Sequence, residues 1–114
     1  MSGEVRVMVH QRARDAAELA AVEEAYQLVS ARMAGVPGLL GNELLRSSTD
    51  PTSLVVASSW VDRAAFEAWE RGAEHRQDTA PLRPYRDDRL AVPFGVYEVA
   101  SAWDAQGPVP QTTP

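Results

Sequence analysis

Cysteine, lysine and isoleucine are all missing from this 114-residue chain. Without Cys there can be no disulfide, no thiolate nucleophile, no Cys-ligated zinc and no iron–sulfur cluster. Without Lys, neither a lysine Schiff base nor a lysine general base can form, which removes pyridoxal and Schiff-base aldolase chemistry. All eleven basic side chains are therefore Arg. The missing Ile, beside abundant Ala and Arg, reads as GC-rich coding bias and carries no chemistry. No apolar run approaches the ~18–20 residues that span a bilayer. The opening MSGEVRVMVHQR lacks the n-region, h-region and cleavage site of a secretory signal, so a cytoplasmic protein with no membrane partner is expected. A formal charge of −5 and a pI near 4.9 repel a phosphate backbone, and nucleic acid is not expected as a partner.

What is present is the composition of a folded domain, with 45% hydrophobic and 24% charged residues. The length predicts one domain, placed over residues 1–104, with the Pro- and Gly-rich stretch 105–114 read as a disordered tail. Val5, Val7 and Val9 alternate with Arg6, Met8 and His10, the period of a strand with one apolar face. Asp15 and Glu18 have capping-box spacing, and Leu19, Val22, Tyr26, Val29 and Met33 follow at helical steps, predicting a helix over Ala16 to Ala34. Gly35 and Pro37 then stop it. Leu39 to Arg46 and Leu54 to Val61 read as a hairpin about the Asp50-Pro51 turn. Asp62 caps a helix carrying Ala65, Phe66 and Trp69 on one face, closed by Gly72. Residues 73–91 read as an irregular connection with one helical turn, and Val92 to Trp103 as the last strand.

The order β-α-β-β-α-β predicts an α+β, ferredoxin-like split βαβ fold with an antiparallel four-stranded sheet and both helices on one face. Neither face of the third strand reads as a solvated row: Leu54, Val56, Ser58 and Trp60 oppose Val55, Ala57, Ser59 and Val61. Two helices cover one side only, so the pattern predicts a homodimer packed sheet to sheet.

The segment SSWVDRAAFEAWERGAEHRQ, Ser58 to Gln77, carries Trp60 at a strand end, Phe66 and Trp69 on a helix, and His75-Arg76 after a small loop. It resembles the central signature of the antibiotic biosynthesis monooxygenase superfamily of dimeric α+β barrels. That resemblance implies a pocket between helices and sheet in each protomer. One branch of the superfamily oxidises aromatic polyketides with O2 and neither metal nor flavin, another degrades haem, and others are quinol oxygenases, cyclases or isomerases. The haem branch carries an Asn on the first strand and a later ligating His, where this chain has His10 and Gln11 and an earlier His75. The polyketide branch has an Asn four positions before its Trp, where this chain has Val56.

Cofactor-free oxygenation needs a base, donors for an oxyanion and a dry aromatic cavity, because a deprotonated phenolic substrate becomes an electron-rich carbanion that reduces O2 directly. His75 and His10, the only imidazoles, are the candidate bases, and the alternatives are a helix-end contact for His75 and a sheet or interface contact for His10. Trp60 is the candidate that stacks on a planar substrate or donates its indole N–H, and a core place is its alternative. Arg76, Arg83, Arg86 and Arg89, with Tyr85 among them, form a basic cluster expected either to fold over a pocket mouth as a lid and bind phenolate or carboxylate, with Arg76, Tyr85 and Arg86 the leading candidates, or to be a solvated loop paired with Asp78, Asp87 and Asp88. Asn42, the only Asn, is a candidate donor or has a turn or edge role, and Phe66 and Trp69 line the site or fill the core. No metal-ligand spacing and no phosphate loop occur, and no cofactor is expected. The leading expectation is a dimeric monooxygenase acting on an aromatic or polyketide substrate. Its alternatives are a cyclase or isomerase using the same pocket without O2, and a non-catalytic binding dimer.

Overall fold

The valine triplet forms β1 (Val5–Arg12), which lies inside the sheet of the computed structural model, where residues 3–110 are described. Strand order is β2-β3-β1-β4, antiparallel at every contact, with β2 over Leu39–Arg46, β3 over Ser53–Trp60 and β4 over Phe94–Glu98. This is the expected split βαβ arrangement.

α1 (Ala16–Met33) starts where Asp15 accepts the Glu18 N–H at 2.8 Å. The Glu18 carboxylate reaches past the cap to accept from the Arg14 N–H at 2.9 Å. Beyond the helix Gly35 takes φ +86°, the left-handed stop the sequence suggested. α2 (Arg63–Arg71) is capped by Asp62, which accepts from the Ala65 N–H at 2.8 Å. Gly38, at φ +83°, lets β2 pass close beneath α2, since a Cβ there would collide with the Ala65 methyl.

Three expectations need correction. Residues 73–91 hold more order than one turn: α3 spans His75–Thr79 and a 3-10 helix continues over Ala80–Tyr85. The cause is tertiary. Gln11, 1% exposed, sets one end of its side-chain amide 3.1 and 3.2 Å from the Leu82 and Tyr85 carbonyls; two acceptors there assign that end as the nitrogen, which pins the segment to β1. The last strand is also shorter than Val92 to Trp103. β4 ends at Glu98, just before the Val99 N–H makes a final bond to the Glu4 carbonyl at 2.8 Å. Trp103 belongs instead to a second hairpin, β5 (Ala102–Asp104) with β6 (Gly107–Val109). Asp104 accepts the Gln106 N–H at 2.8 Å and Gly107 takes φ +136°, so turn chemistry orders part of the stretch expected to be disordered. Residues 111–114 lie outside the described residues.

The core lies between helices and sheet: Val5, Val7, Leu54 and Trp60 from the strands meet Val22, Val29 and Met33 of α1, Phe66 of α2 and Leu82. Each such burial contributes about 1.5–3 kcal/mol. The register places Arg6, Met8 and His10 on the other face, opposite Ser59, Ala57 and Val55, with Tyr97 beside Arg6.

Candidate functional site

On the helix side, Val7 and Val9 of β1, Val56 and Ser58 of β3 and Phe94 of β4 form the floor of a cavity of about 360 Å³. Its roof is α1, through Tyr26, Val29, Ser30 and Met33, together with Phe66 and Trp69 of α2. The wall is α3 and the 3-10 segment, which contribute His75, Arg76, Thr79, Leu82 and Arg83, with Arg86 just beyond. A mostly apolar concavity with a few convergent polar groups is the usual form of a small-molecule site.

His75 is held by rings and by the first turn of its own helix. Its imidazole meets the Trp69 indole edge to face, centroids 4.5 Å apart, and its carbonyl accepts from the Thr79 hydroxyl at 3.0 Å. Trp69 in turn lies 5.4 Å from Trp60 and 6.1 Å from Phe66, and its indole N–H donates to Asp78 at 3.4 Å. Burial holds the His75 pKa below the usual 6.5, and Arg83 and Arg86 push in the same direction against Glu70 and Asp78. The imidazole is therefore neutral near pH 7 and able to accept a proton.

Arg83 is partly buried, donates to the Thr79 hydroxyl at 3.1 Å, and has its own pKa lowered by burial and by Arg86 and Arg76. It remains charged, as guanidinium does in proteins. Opposite, Ser30 donates to the Asn42 side-chain oxygen at 3.2 Å, and Tyr26 donates to the Asn42 carbonyl at 3.3 Å. That leaves the Asn42 amide nitrogen as a donor at the cavity.

His75, Arg76, Arg86, Asn42, Phe66 and Trp69 thus all come to one cavity, and three expected site residues do not. Trp60 is fully buried behind Phe66 and Trp69, with its indole N–H donated to Ser58 at 2.9 Å, so it touches the site through its neighbours. His10 lies on the opposite face of the sheet, where alternation along β1 carries it away from Val7 and Val9. Tyr85 packs against the core next to Leu82. Arg83, from the expected basic cluster, lines the cavity too, whereas Ser30, Tyr26 and Ser58 were not expected there. Ser58 was visible as the one polar residue in the row Leu54, Val56, Ser58, Trp60, and Tyr26 and Ser30 as an i, i+4 pair on the apolar stripe of α1.

Among the described residues, no group of three His, Asp or Glu could hold a metal, and no helix is long and apolar enough to cross a membrane. Protein SchA of Streptomyces halstedii is 37% identical over 81 residues, 71% of this chain and 21% of that protein. The 42.8 kDa protein in the whiE locus of Streptomyces coelicolor is 32% identical over 73 residues, 64% of this chain and 18% of that protein. The chain therefore spans about a fifth of the length of the curated relatives it matches. In fold it is similar to SnoaB, a cofactor-independent oxygenase from Streptomyces nogalater, with a TM-score of 0.68 at 22% identity over 84% of this chain and 92% of that one. A conserved protein of Bacteroides thetaiotaomicron superposes with a TM-score of 0.65 at 17% identity over 86% of this chain and 99% of that one. Residues 5–78, which include Trp60, Phe66, Trp69, His75 and Arg76, match the model of the family described as antibiotic biosynthesis monooxygenase, and the chain belongs to that family.

Proposed function

We propose that the chain is a tailoring enzyme of secondary metabolism, a cofactor-independent monooxygenase that oxidises an aromatic, polyketide-type substrate with O2 in this cavity. The observation that carries the reading is His75: a partly buried imidazole with a lowered pKa, set between an aromatic wall and guanidinium groups. A planar phenolic substrate fits against Val7, Val56, Phe66 and Trp69. His75 takes the proton, and Arg76 and the Asn42 amide stabilise the anion that results. The carbanion passes one electron to O2, the radical pair recombines to a hydroperoxide, and loss of water leaves a new carbonyl. Overall a ring CH2 and O2 become C=O and H2O, the substrate supplying every electron. Membership of the family and the likeness to SnoaB support this reading.

Trp60 is a positioning residue in this scheme, fixing Phe66 and Trp69 from behind. We read the sheet face away from the helices, with half-buried Met8, Val55 and Ala57 and exposed Tyr97, as the contact of a homodimer. A second reading keeps the pocket and omits oxygen: Val56 presents hydrocarbon to the cavity, which favours a cyclase or isomerase that only moves protons. Incubation with a hydroxyanthrone-type substrate under ¹⁸O₂, with an anaerobic control, tests the choice. Protein-dependent label in the product supports the monooxygenase, and an equal yield of protein-dependent product without O2 supports the cyclase.

A further inference from the structure

The cavity has two unlike ends. Asn42, Ser30 and Tyr26 form a neutral end beside the edge strand β2. Toward the other side of the sheet, where Arg86 bridges to Gln11 of β1, the lining holds Arg76, Arg83 and Arg86. Glu70 is the one carboxylate in that lining. The ion pairs among the described residues engage Arg6, Arg14, Arg63 and Arg89, and none engages these three. A chain of net charge −5 has thus gathered an unneutralised cationic excess at one apolar cavity.

Holding guanidinium groups together and partly desolvated is costly unless an anion completes them. Transient charge on a reacting phenolate asks for one or two donors, which Asn42 and a single Arg supply. Arg83 and Arg86 also lie beyond the segment 5–78 that matches the family model.

We propose that the Arg83–Arg86 end of the cavity is a carboxylate subsite, so that the substrate carries a fixed carboxylate in addition to the ring that reacts, with Arg76 at the rim. The inference rests on reading this cavity as the substrate site and is independent of oxygen chemistry. Two guanidinium forks match the planar carboxylate by paired N–H···O bonds, and such charge-assisted bonds select it over an ester that offers no charge.

The test titrates the full chain, without O2 so that nothing turns over, against a hydroxyanthrone carboxylic acid and its methyl ester, following quenching of Trp fluorescence. The acid is expected to bind roughly tenfold tighter or better, with an advantage that shrinks as salt rises. Arg83→Gln/Arg86→Gln should abolish the preference, so that acid and ester bind alike, and Arg83→Lys, which keeps the charge but loses the fork, should retain part of it. Equal binding of acid and ester, a preference that survives in the double variant, or no binding of either compound at millimolar concentration overturns the proposal. Acid preference without ¹⁸O incorporation in the aerobic assay sinks the monooxygenase reading alone, and incorporation without acid preference sinks the subsite alone.

Discussion

The His75 imidazole stands at 89° to the Trp69 indole, its centroid 4.5 Å away, so one ring edge packs on the aromatic wall. The charges that reach it are Arg83 and Arg86, which lower its pKa, and Glu70 and Asp78, which raise it. Its proton affinity is thus adjustable from outside the ring. As a base it works deprotonated, so kcat/KM should fall with falling pH through a value below 6.5. Arg83→Gln removes a cation that disfavours protonation, so the acid limb should move up toward 6.5. A limb that stays in place would mean that another group is titrating.

Gln11→Leu leaves the Leu82 and Tyr85 carbonyls without their buried donor. Unfolding in urea should show a loss of about 1–3 kcal/mol. Amide exchange should accelerate chiefly across residues 80–86, since this bond pins the cavity wall to β1. An unchanged exchange pattern there would refute the pin.

Asp87 is buried at 4% exposure and accepts two bonds from the Arg89 guanidinium, at 2.9 and 2.8 Å, and one from the Arg89 N–H at 3.1 Å. These bonds hold its pKa below the usual 3.8. A depressed carboxyl stabilises the fold above its unfolded pKa, and that contribution is lost as pH falls through the lower folded value. Asp87→Asn should therefore be less stable at neutral pH and show a shallower loss of stability below 3.8. Parallel acid limbs for the two proteins, followed by thermal melts across pH, would contradict this.

The sheet face with Met8, Val55 and Ala57 gives a prediction of mass. Light scattering should report about twice 12.4 kDa, and Ala57→Asp, placing a charge at the centre of that face, should return the value to the monomer. A wild-type mass at the monomer value would remove the sheet-to-sheet contact.

How much of this was legible follows from range. The valine alternation, the Asp15 and Asp62 caps and the spacing of Phe66 and Trp69 are local signals, and each element they mark is present. The ordering of residues 75–85 depends on Gln11, some seventy positions away, and no periodicity announces a partner at that distance. The second hairpin was hidden for a different reason: its order comes from Asp104 and Gly107 in a turn, within a segment too poor in apolar residues to read as strand. In the site, alternation along β1 already divided His10 from the valines, but only the helices on the valine side decide which face meets the cavity. Trp60 shows the converse, since its spacing marks it as a site candidate and only the packing of Phe66 and Trp69 over it shows that it lies in the core.

The central claim is that His75 removes a proton from a substrate that then reacts with O2. Its most direct test is product mass under ¹⁸O₂ for the wild type and for His75→Gln, after fluorescence titration shows that both bind the substrate equally. One labelled oxygen is expected in the wild-type product, with a rate roughly 10²–10⁴-fold lower in the variant, the usual contribution of a general base. Label entering at the same rate in both proteins would contradict it.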